Sequence, residues 1–534
     1  MSDPPRPASS ARNAAWVGLG IFLSRIAGLI RERVFAHYFG NSVAADAFKA
    51  ATRIPNLLQN LLGEGVLSAS FIPVYARLRA EGQTDVAARV ASVVATLLAL
   101  AVSLLVALGI LATPWLVALV APGFEGEKRD ATVLLVRILF PGIGLLVLSA
   151  WCLGVLNSHR RFFLSYAAPI LWNLVQIGAL WVGGREASGY PLAQWVAWGA
   201  VGGSLLQFGV QLPSVLRLLG AFRPAIRLVA EHIREIARNF VPVVLGRGVV
   251  QLSAYVDSIL ASWLPTGAVA ALAYAQILYT LPISLFGMAV SAAELPEMAS
   301  VLGAREEVHA ALRLRLASAL LRIAFFVVPT SVGFLVLGDV ISAVFFQTGR
   351  FTHDDATYVW GILCGATVGL LAVTWGRLYA SAFYALRDTR TPLRFALVRL
   401  VVTTGLGWLS ALVLPGLLGL PAAWGAAGLT ASAGVAGWIE FWLLRRSLHV
   451  RVGMVAVGRG TLAKLWIGAA LAGVVAGGTR WLLAPALAAH PLLVGTVALL
   501  PYGAAYFGVT WLWGVAPARD LAHSLVRWLP RTRA

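Results

Sequence analysis

Between Ser24 and Tyr75 the chain reads SRIAGLIRERVFAHYFGNSVAADAFKAATRIPNLLQNLLGEGVLSASFIPVY, and eight charged residues, Arg25, Arg31, Glu32, Arg33, Asp46, Lys49, Arg53 and Glu64, stand in this largely apolar stretch. A charged side chain at the centre of a bilayer costs roughly 2.5–3.5 kcal/mol on insertion scales, so such residues face a bundle interior or a wet cavity. Cations outnumber anions here, and arginine offers paired N–H donors that suit a diphosphate or a similar oxyanion. The chemistry these residues predict is binding of an anionic ligand in a cationic cavity.

Spacing refines this. Arg25 and Arg31 are six residues apart, about 600° of helical rotation and hence roughly 120° from eclipsed, so they border one wide cavity but share no narrow stripe. Asp46, Lys49 and Arg53 follow at spacings of three and four and share a face. Two readings stay open for them: an internal network in which Asp46 neutralises Lys49 or Arg53, or a ligand site whose cations Asp46 organises. Further along, Arg247, Asp257, Arg322, Arg377 and Arg399 are again embedded in apolar runs. Arg247 and Arg377 are the cavity candidates of this second half, whereas Arg322 and Arg399 lie near span starts and are expected to snorkel to the interface. Glu294 and Glu297 are expected to cap a span end. Pro55, Gly63, Gly65, Pro282 and Gly287 would permit bends or tight packing.

The elements that position these residues are membrane helices. The chain has 534 residues, 59% of them hydrophobic and only 12% charged, with a mean hydropathy of +0.80. No soluble domain could bury that much apolar surface. Counting about 20 apolar residues per span predicts an all-α polytopic protein with about 14 transmembrane helices, the second over residues 43–76. The formal charge of +19 sits mainly in short loops between spans, as topology anchors do, and not on a polar domain that could grip nucleic acid. Arg77, Arg79, Arg160, Arg161, Arg217, Arg305, Arg387, Arg390, Arg445 and Arg451 fall on one side; Lys128, Arg129, Arg185 and Arg350 are the chief exceptions on the other. Both termini are therefore expected in the cytoplasm, and the polar segment before Ala14 is not expected to be a cleaved signal.

An internal repeat has an offset of roughly 225 residues. Asp130-Ala131-Thr132 recurs as Asp355-Ala356-Thr357, Ile54-Pro55 as Leu281-Pro282, and Phe71-Ile72-Pro73 as Glu294-Leu295-Pro296. Two six-helix lobes in parallel orientation follow, residues 14–225 and 226–452, with a cytoplasmic tail at 1–13, two added helices at 453–517 and a basic cytoplasmic tail at 518–534. Parallel halves of this kind suggest a transporter with a central site.

Other chemistries lose support. The sequence has no GxxxxGK[ST], HExxH or GxSxG motif, and Cys152 and Cys364 are isolated within apolar runs, without disulfide or metal-ligand spacing. Neither an enzyme nor a cofactor is expected.

The segments SRIAGLIRE, FGNSVAADAF, RIPNLL, EGVLSASFIPVYA, GRFT and FYALRDTRTP, in this order from about Ala14 to Arg451, resemble the MurJ (MviN) family of the MOP flippase superfamily. The resemblance implies a 14-helix flippase of the bacterial inner membrane that works by alternating access. Its implied cargo is lipid II, the undecaprenyl-diphosphate-linked peptidoglycan precursor, moved from the cytoplasmic to the periplasmic leaflet in cell-wall biogenesis. Carried over by position, Ser24, Arg25, Gly28, Arg31 and Asp46 match the family's cavity, Glu64 its acidic position in span two, and Arg377 a basic position in span ten. The last two helices would shelter the polyprenyl tail. Sodium coupling in part of the family points to Asp257, Asp388 and Thr404, with Asp388 equally a loop charge beside Arg387; proton coupling and the membrane potential are the other energy sources. Cell-wall synthesis enzymes are the implied protein partners, and nucleic acid is not. Gln59, Asn60, Gln276 and Ile277 stand where the family usually carries charge, and Arg247 is expected to supply the second-lobe cation instead. Two alternatives remain at this stage: a flippase for another polyprenyl-diphosphate-linked saccharide, and a non-transporting cell-wall scaffold.

Overall fold

In hydrocarbon every backbone N–H needs a partner within its own segment, so long apolar runs fold as helices. The computed structural model describes residues 7–220, 222, 224, 230–299, 305–455, 457–487 and 490–528, and among them helix is the only regular element apart from one isolated bridge between Thr348 and Phe351. In chain order the helices are α1 (Pro7–Phe39), α2 (Val43–Leu62), α3 (Glu64–Ala80), α4 (Thr84–Val120), α5 (Gly126–Ser158), α6 (Phe162–Glu186), α7 (Gly189–Leu219), α8 (Ala230–Ala261), α9 (Ala268–Pro282) and α10 (Ala289–Ala299). There follow α11 (Arg305–Phe346), α12 (His353–Ala385), α13 (Arg390–Trp408), α14 (Leu414–Leu417), α15 (Gly425–Val452), α16 (Arg459–Leu487), α17 (Pro491–Leu512) and α18 (Ala516–Trp528). With α2 and α3, α9 and α10, and α13 and α14 each taken as one interrupted segment, fourteen long segments precede α18. Among the described residues, eleven segments are long and apolar enough to cross a membrane.

The interruptions have local causes. The second span is interrupted at Gly63, one of the expected bends, whose N–H still donates to Gln59 O at 2.8 Å while its ψ of −151° leaves the helical region. A Cβ at Gly63 would lie 2.3 Å from that same oxygen, so only glycine fits. The break puts Glu64 in the first turn of α3, where the helix dipole favours a carboxylate. Pro282 precedes a wide-turn segment, Ile283–Met288, in which Gly287 packs on Thr374; α2 runs on through Pro55.

The chain forms two compact units, Met1–Ala270 with Thr348–Phe351, and Ala271–Gln347 with Thr352–Ala534. In the first, α5 packs on α2, α4 and α7, α6 packs on α1 and α7, and α8 lies against α2, α3 and α4. Phe71, Val74, Tyr75, Val90, Val147 and Leu156 are buried in its core. In the second, α12 packs on α11 and α15, α13 packs on α15, and α16 and α17 pack on each other and on α11. The pairing of the fourth segment with the third and sixth thus recurs as the tenth with the ninth and twelfth, which is what the repeat requires. Small residues allow the tight pairs: Gly369 on α12 meets the backbone of Gly434 on α15.

The repeat extends to backbone detail. Thr132 Oγ1 donates to Lys128 O, and Thr357 Oγ1 donates to His353 O. The turns that end α5 and α12 close alike: Arg160 and Arg161 donate to Asn157 O and Leu156 O, and Arg387 and Asp388 donate to Tyr384 O and Phe383 O. Both turns place an arginine at the left-handed position where glycine is usual, Arg160 at φ 57° and Arg387 at φ 59°. Among the described residues these are the two non-glycine positions with positive φ. Each costs on the order of 1 kcal/mol relative to an unstrained backbone.

In the added helices, Pro329 leaves Phe325 O on α11 without its usual helical donor. Tyr506 Oη on α17 donates to that oxygen at 2.7 Å, and Tyr502 Oη, one turn earlier, donates to Pro329 O at 2.6 Å.

Candidate functional site

Glu32 is the hub of the first unit's buried charge. Its carboxylate accepts from Arg31 Nη2 at 2.6 Å and from Lys49 Nζ at 2.5 Å. The Lys49 ammonium also sits 4.2 Å from the centre of the Phe35 ring, and the Arg31 guanidinium 4.7 Å from that of Trp172 on α6. Aromatic faces stabilise cations that have lost water, and one carboxylate between two cations leaves a net positive charge. Gly28, one turn before Arg31, faces the same helix, since a Cβ there would lie 3.9 Å from Asn173 Oδ1. Ser24 is half-buried and Arg25 exposed, in keeping with the rotation that separates Arg25 from Arg31.

Asp46 does something other than the spacing predicted. Its carboxylate, 1% exposed, accepts from Lys128 Nζ at 2.8 Å, from Gly267 N at 2.7 Å and from Ala270 N at 2.8 Å. It therefore neutralises a lysine at the start of α5 and caps the first turn of α9, while Lys49 takes Glu32. The expectation that Asp46 organises Lys49 and Arg53 is corrected: a shared face makes such a pair available, but two backbone N–H groups and an ammonium satisfy the carboxylate more fully. Arg53 lies within electrostatic reach of Lys49, and its carbonyl accepts from Tyr255 Oη at 2.5 Å. Glu64 is exposed at the break before α3.

In the second unit most embedded arginines have a carboxylate. Arg322 reaches Glu294 at 2.5 Å, Arg315 reaches Glu297 at 3.0 Å and Arg399 reaches Glu440 at 3.1 Å. Arg322 and Arg399 are held in pairs while still partly exposed, and Glu294 and Glu297 are ion-pair partners where caps were expected. Arg377 is exposed on α12 within electrostatic reach of Arg399 and Glu440. The side chain of Arg247, on α8, lies outside the described residues.

Of the three positions carried over for sodium, Asp388 and Thr404 stand apart within the second unit. Asp388 accepts from Arg390 N, Thr391 N and Thr391 Oγ1, and pairs with Arg451 at 2.7 Å. Those Thr391 hydrogen bonds and the Arg451 charge hold its carboxyl at about 2, below the ordinary range. Thr404 Oγ1 donates to Leu400 O, and about 20 Å of helix separates it from Asp388. Asp257 belongs to the other unit, on α8. Among the described residues no group of three His, Cys, Asp or Glu side chains could hold a metal.

Glu32 as hub, Lys128, Glu440, and the Asp339–Arg480 pair, bidentate at 3.0 and 2.6 Å between α11 and α16, are among the charged partners that sequence reasoning left out. A signal existed for the last: Asp339 and Arg480 are opposite charges, each isolated in an apolar run.

Fourteen helical segments in repeated halves, with charges paired inside apolar helices, define a polytopic membrane transporter. A solved structure described as "Lipid II flippase MurJ, inward closed conformation" is similar over 92% of this chain and 98% of that one, at a TM-score of 0.73 and 24% identity. An inward-facing multidrug MATE transporter of the MOP superfamily is similar over 81% and 96%, at 0.61 and 18%; both likenesses speak to the fold. The family model described as "Lipid II flippase MurJ" matches residues 35–502. The lipid II flippase MurJ of Burkholderia cenocepacia is 32% identical over 512 residues, covering 92% of this chain and 95% of its own. A probable lipid II flippase MurJ of Rhizobium meliloti is 31% identical over 453 residues, 82% and 81% of the two chains. The chain belongs to the lipid II flippase MurJ family.

Proposed function

We propose that this protein is a multi-pass flippase of the bacterial inner membrane that moves lipid II between leaflets. The observation that carries the reading is the family match over residues 35–502. The chemistry agrees with it. A diphosphate needs donors that stay charged in a site of low polarity, and Arg31 and Lys49 around Glu32 keep one positive charge in surplus. In this reading Arg25, Arg31, Arg53 and Arg247 meet the diphosphate or nearby acidic groups, Ser24 and Gly28 give it room on α1, and Asp46 fixes the local framework through Lys128. Exposure of the head-group site alternates between the two sides, the polyprenyl tail stays in lipid beside α16 and α17, and both termini lie in the cytoplasm. An anionic cargo leaving a negative cytoplasm is helped by about 2.3 kcal/mol per charge per 100 mV, and ion coupling adds to that drive.

Complementation of a strain depleted of its own lipid II flippase, with leaflet-specific lipid II labelling, tests the reading. The full chain restores growth and periplasmic labelling, and Arg31→Ala loses both while reaching the membrane in equal amount. A wild-type chain that inserts but restores no labelling refutes the assignment of cargo.

A further inference from the structure

We infer that the end of the first unit formed by the α5–α6 turn and the last turn of α7 is a binding site for the head group of an anionic phospholipid. A cavity of about 630 Å³ opens there. Arg160, Arg161 and Arg217 line it with Phe162, Phe163 and Ser214, and no carboxylate is among its lining residues. With no carboxylate among the described residues that line it, the cluster of three guanidinium groups is suited to an anion from outside. The aromatic pair says what kind. Phe163 is 54% exposed at the start of a membrane-spanning helix, a position that suits an acyl chain and offers nothing to a fully hydrated inorganic ion. The arginine-rich side of the chain is the side expected to meet the anionic cytoplasmic leaflet, where basic pockets between helices select acidic head groups.

Arg160 is held in the left-handed region, as Arg387 is in the second unit, and here two further arginines share its cavity. Lys128 and the Asp46 cluster lie at the opposite end of α5, about 45 Å along the helix axis. This pocket is therefore separate from that cluster, and it would anchor the α5, α6 and α7 ends of the first unit to the membrane surface.

Native mass spectrometry of the full-length chain in micelles, titrated with phosphatidylglycerol, tests this. The wild type retains a phosphatidylglycerol that a variant carrying Arg160→Gly, Arg161→Gln and Arg217→Gln loses, with affinity falling roughly fivefold for each arginine removed. Phosphatidylcholine of the same chain length binds both proteins equally. Arg160→Gly alone, which relaxes the turn and cannot unfold it through strain, gives the single-arginine decrease, and Arg387→Gly in the second unit gives none. Equal retention by the wild type and the triple variant overturns the proposal. So does displacement of the lipid by equimolar inorganic phosphate, which marks a free-anion site, and so does a triple variant that keeps phosphatidylglycerol but loses lipid II. No arm of this experiment depends on transport.

Discussion

The turns that close α5 and α12 share one backbone and differ in charge. Both end in the same pair of hydrogen bonds and both strain an arginine, yet the next residue is Arg161 in the first and Asp388 in the second. Asp388 takes the first N–H groups of α13 and the guanidinium of Arg451, so the second turn is neutralised and fastened. In the first, Arg161 adds charge to Arg160 and Arg217 around an open cavity. Inside the helices, Glu32 is shared between two cations in the first unit, whereas in the second Glu440 meets Arg399 at 3.1 Å and leaves it partly exposed. A duplicated scaffold keeps its backbone and lets the two copies diverge in charge.

The sharpest way to break this comparison is at the carboxylates. Glu32→Gln leaves Lys49 and Arg31 buried without their anion and should cost about 3–5 kcal/mol. Glu440→Gln, which leaves a partly exposed Arg399, should cost about 1 kcal/mol or less after solvent screening. Thermal unfolding of both variants in the same lipid nanodisc gives the order, and equal losses would abolish the contrast. Next come the turns themselves. Asp388→Ala should destabilise by about 1–2 kcal/mol, as loss of a helix-capping carboxylate does, whereas Arg161→Ala should leave stability within about 0.5 kcal/mol. Smaller still, Arg160→Gly and Arg387→Gly should each raise stability by about 1 kcal/mol or less, strain relief being partly offset by the entropy of glycine.

Acidity should separate the turns in the same measurement. His159, at the end of α5, accepts or shares a proton with Tyr75 Oη at 2.9 Å; burial first, then Arg79 and Arg161, push its imidazole down to about 4 from 6.5. The unfolded chain then binds more protons between those values, so the stability due to His159 is complete above pH 6.5 and is lost as pH falls toward about 4. For Asp388, held at about 2 against an ordinary 3.8, the contribution is complete above 3.8 and is lost only as pH falls toward 2. His159→Gln should flatten the upper window and Asp388→Asn the lower one. A His159→Gln protein with an unchanged profile between pH 6.5 and 4 would show that the first turn does not titrate there.

The residues themselves explain what could be read in advance. Arg25, Arg31, Asp46 and Lys49 declared themselves because a charge in an apolar run is conspicuous, and Asp130-Ala131-Thr132 with Asp355-Ala356-Thr357 revealed the repeat because hydrogen-bonded helix starts keep their residue types. The partners were hidden. Lys128 lies 82 residues from Asp46 and looked like a loop charge, and Glu32, next to Arg31, gave no sign that it would also hold Lys49. Gly63 was noted as a bend but not as a complete break, since the clash with Gln59 O exists only once the helix has formed.

Sequence alone determined the number of segments, their membrane character, the internal repeat and the family, because apolar length, loop charge and motif order are local properties that survive any packing. The tertiary structure decided which charge meets which. Glu32 serves Arg31 and Lys49, Asp46 serves Lys128 and α9, and Asp388 fastens a turn. Ion pairs act over a few ångströms, and helix packing brings within that reach residues that the chain keeps far apart.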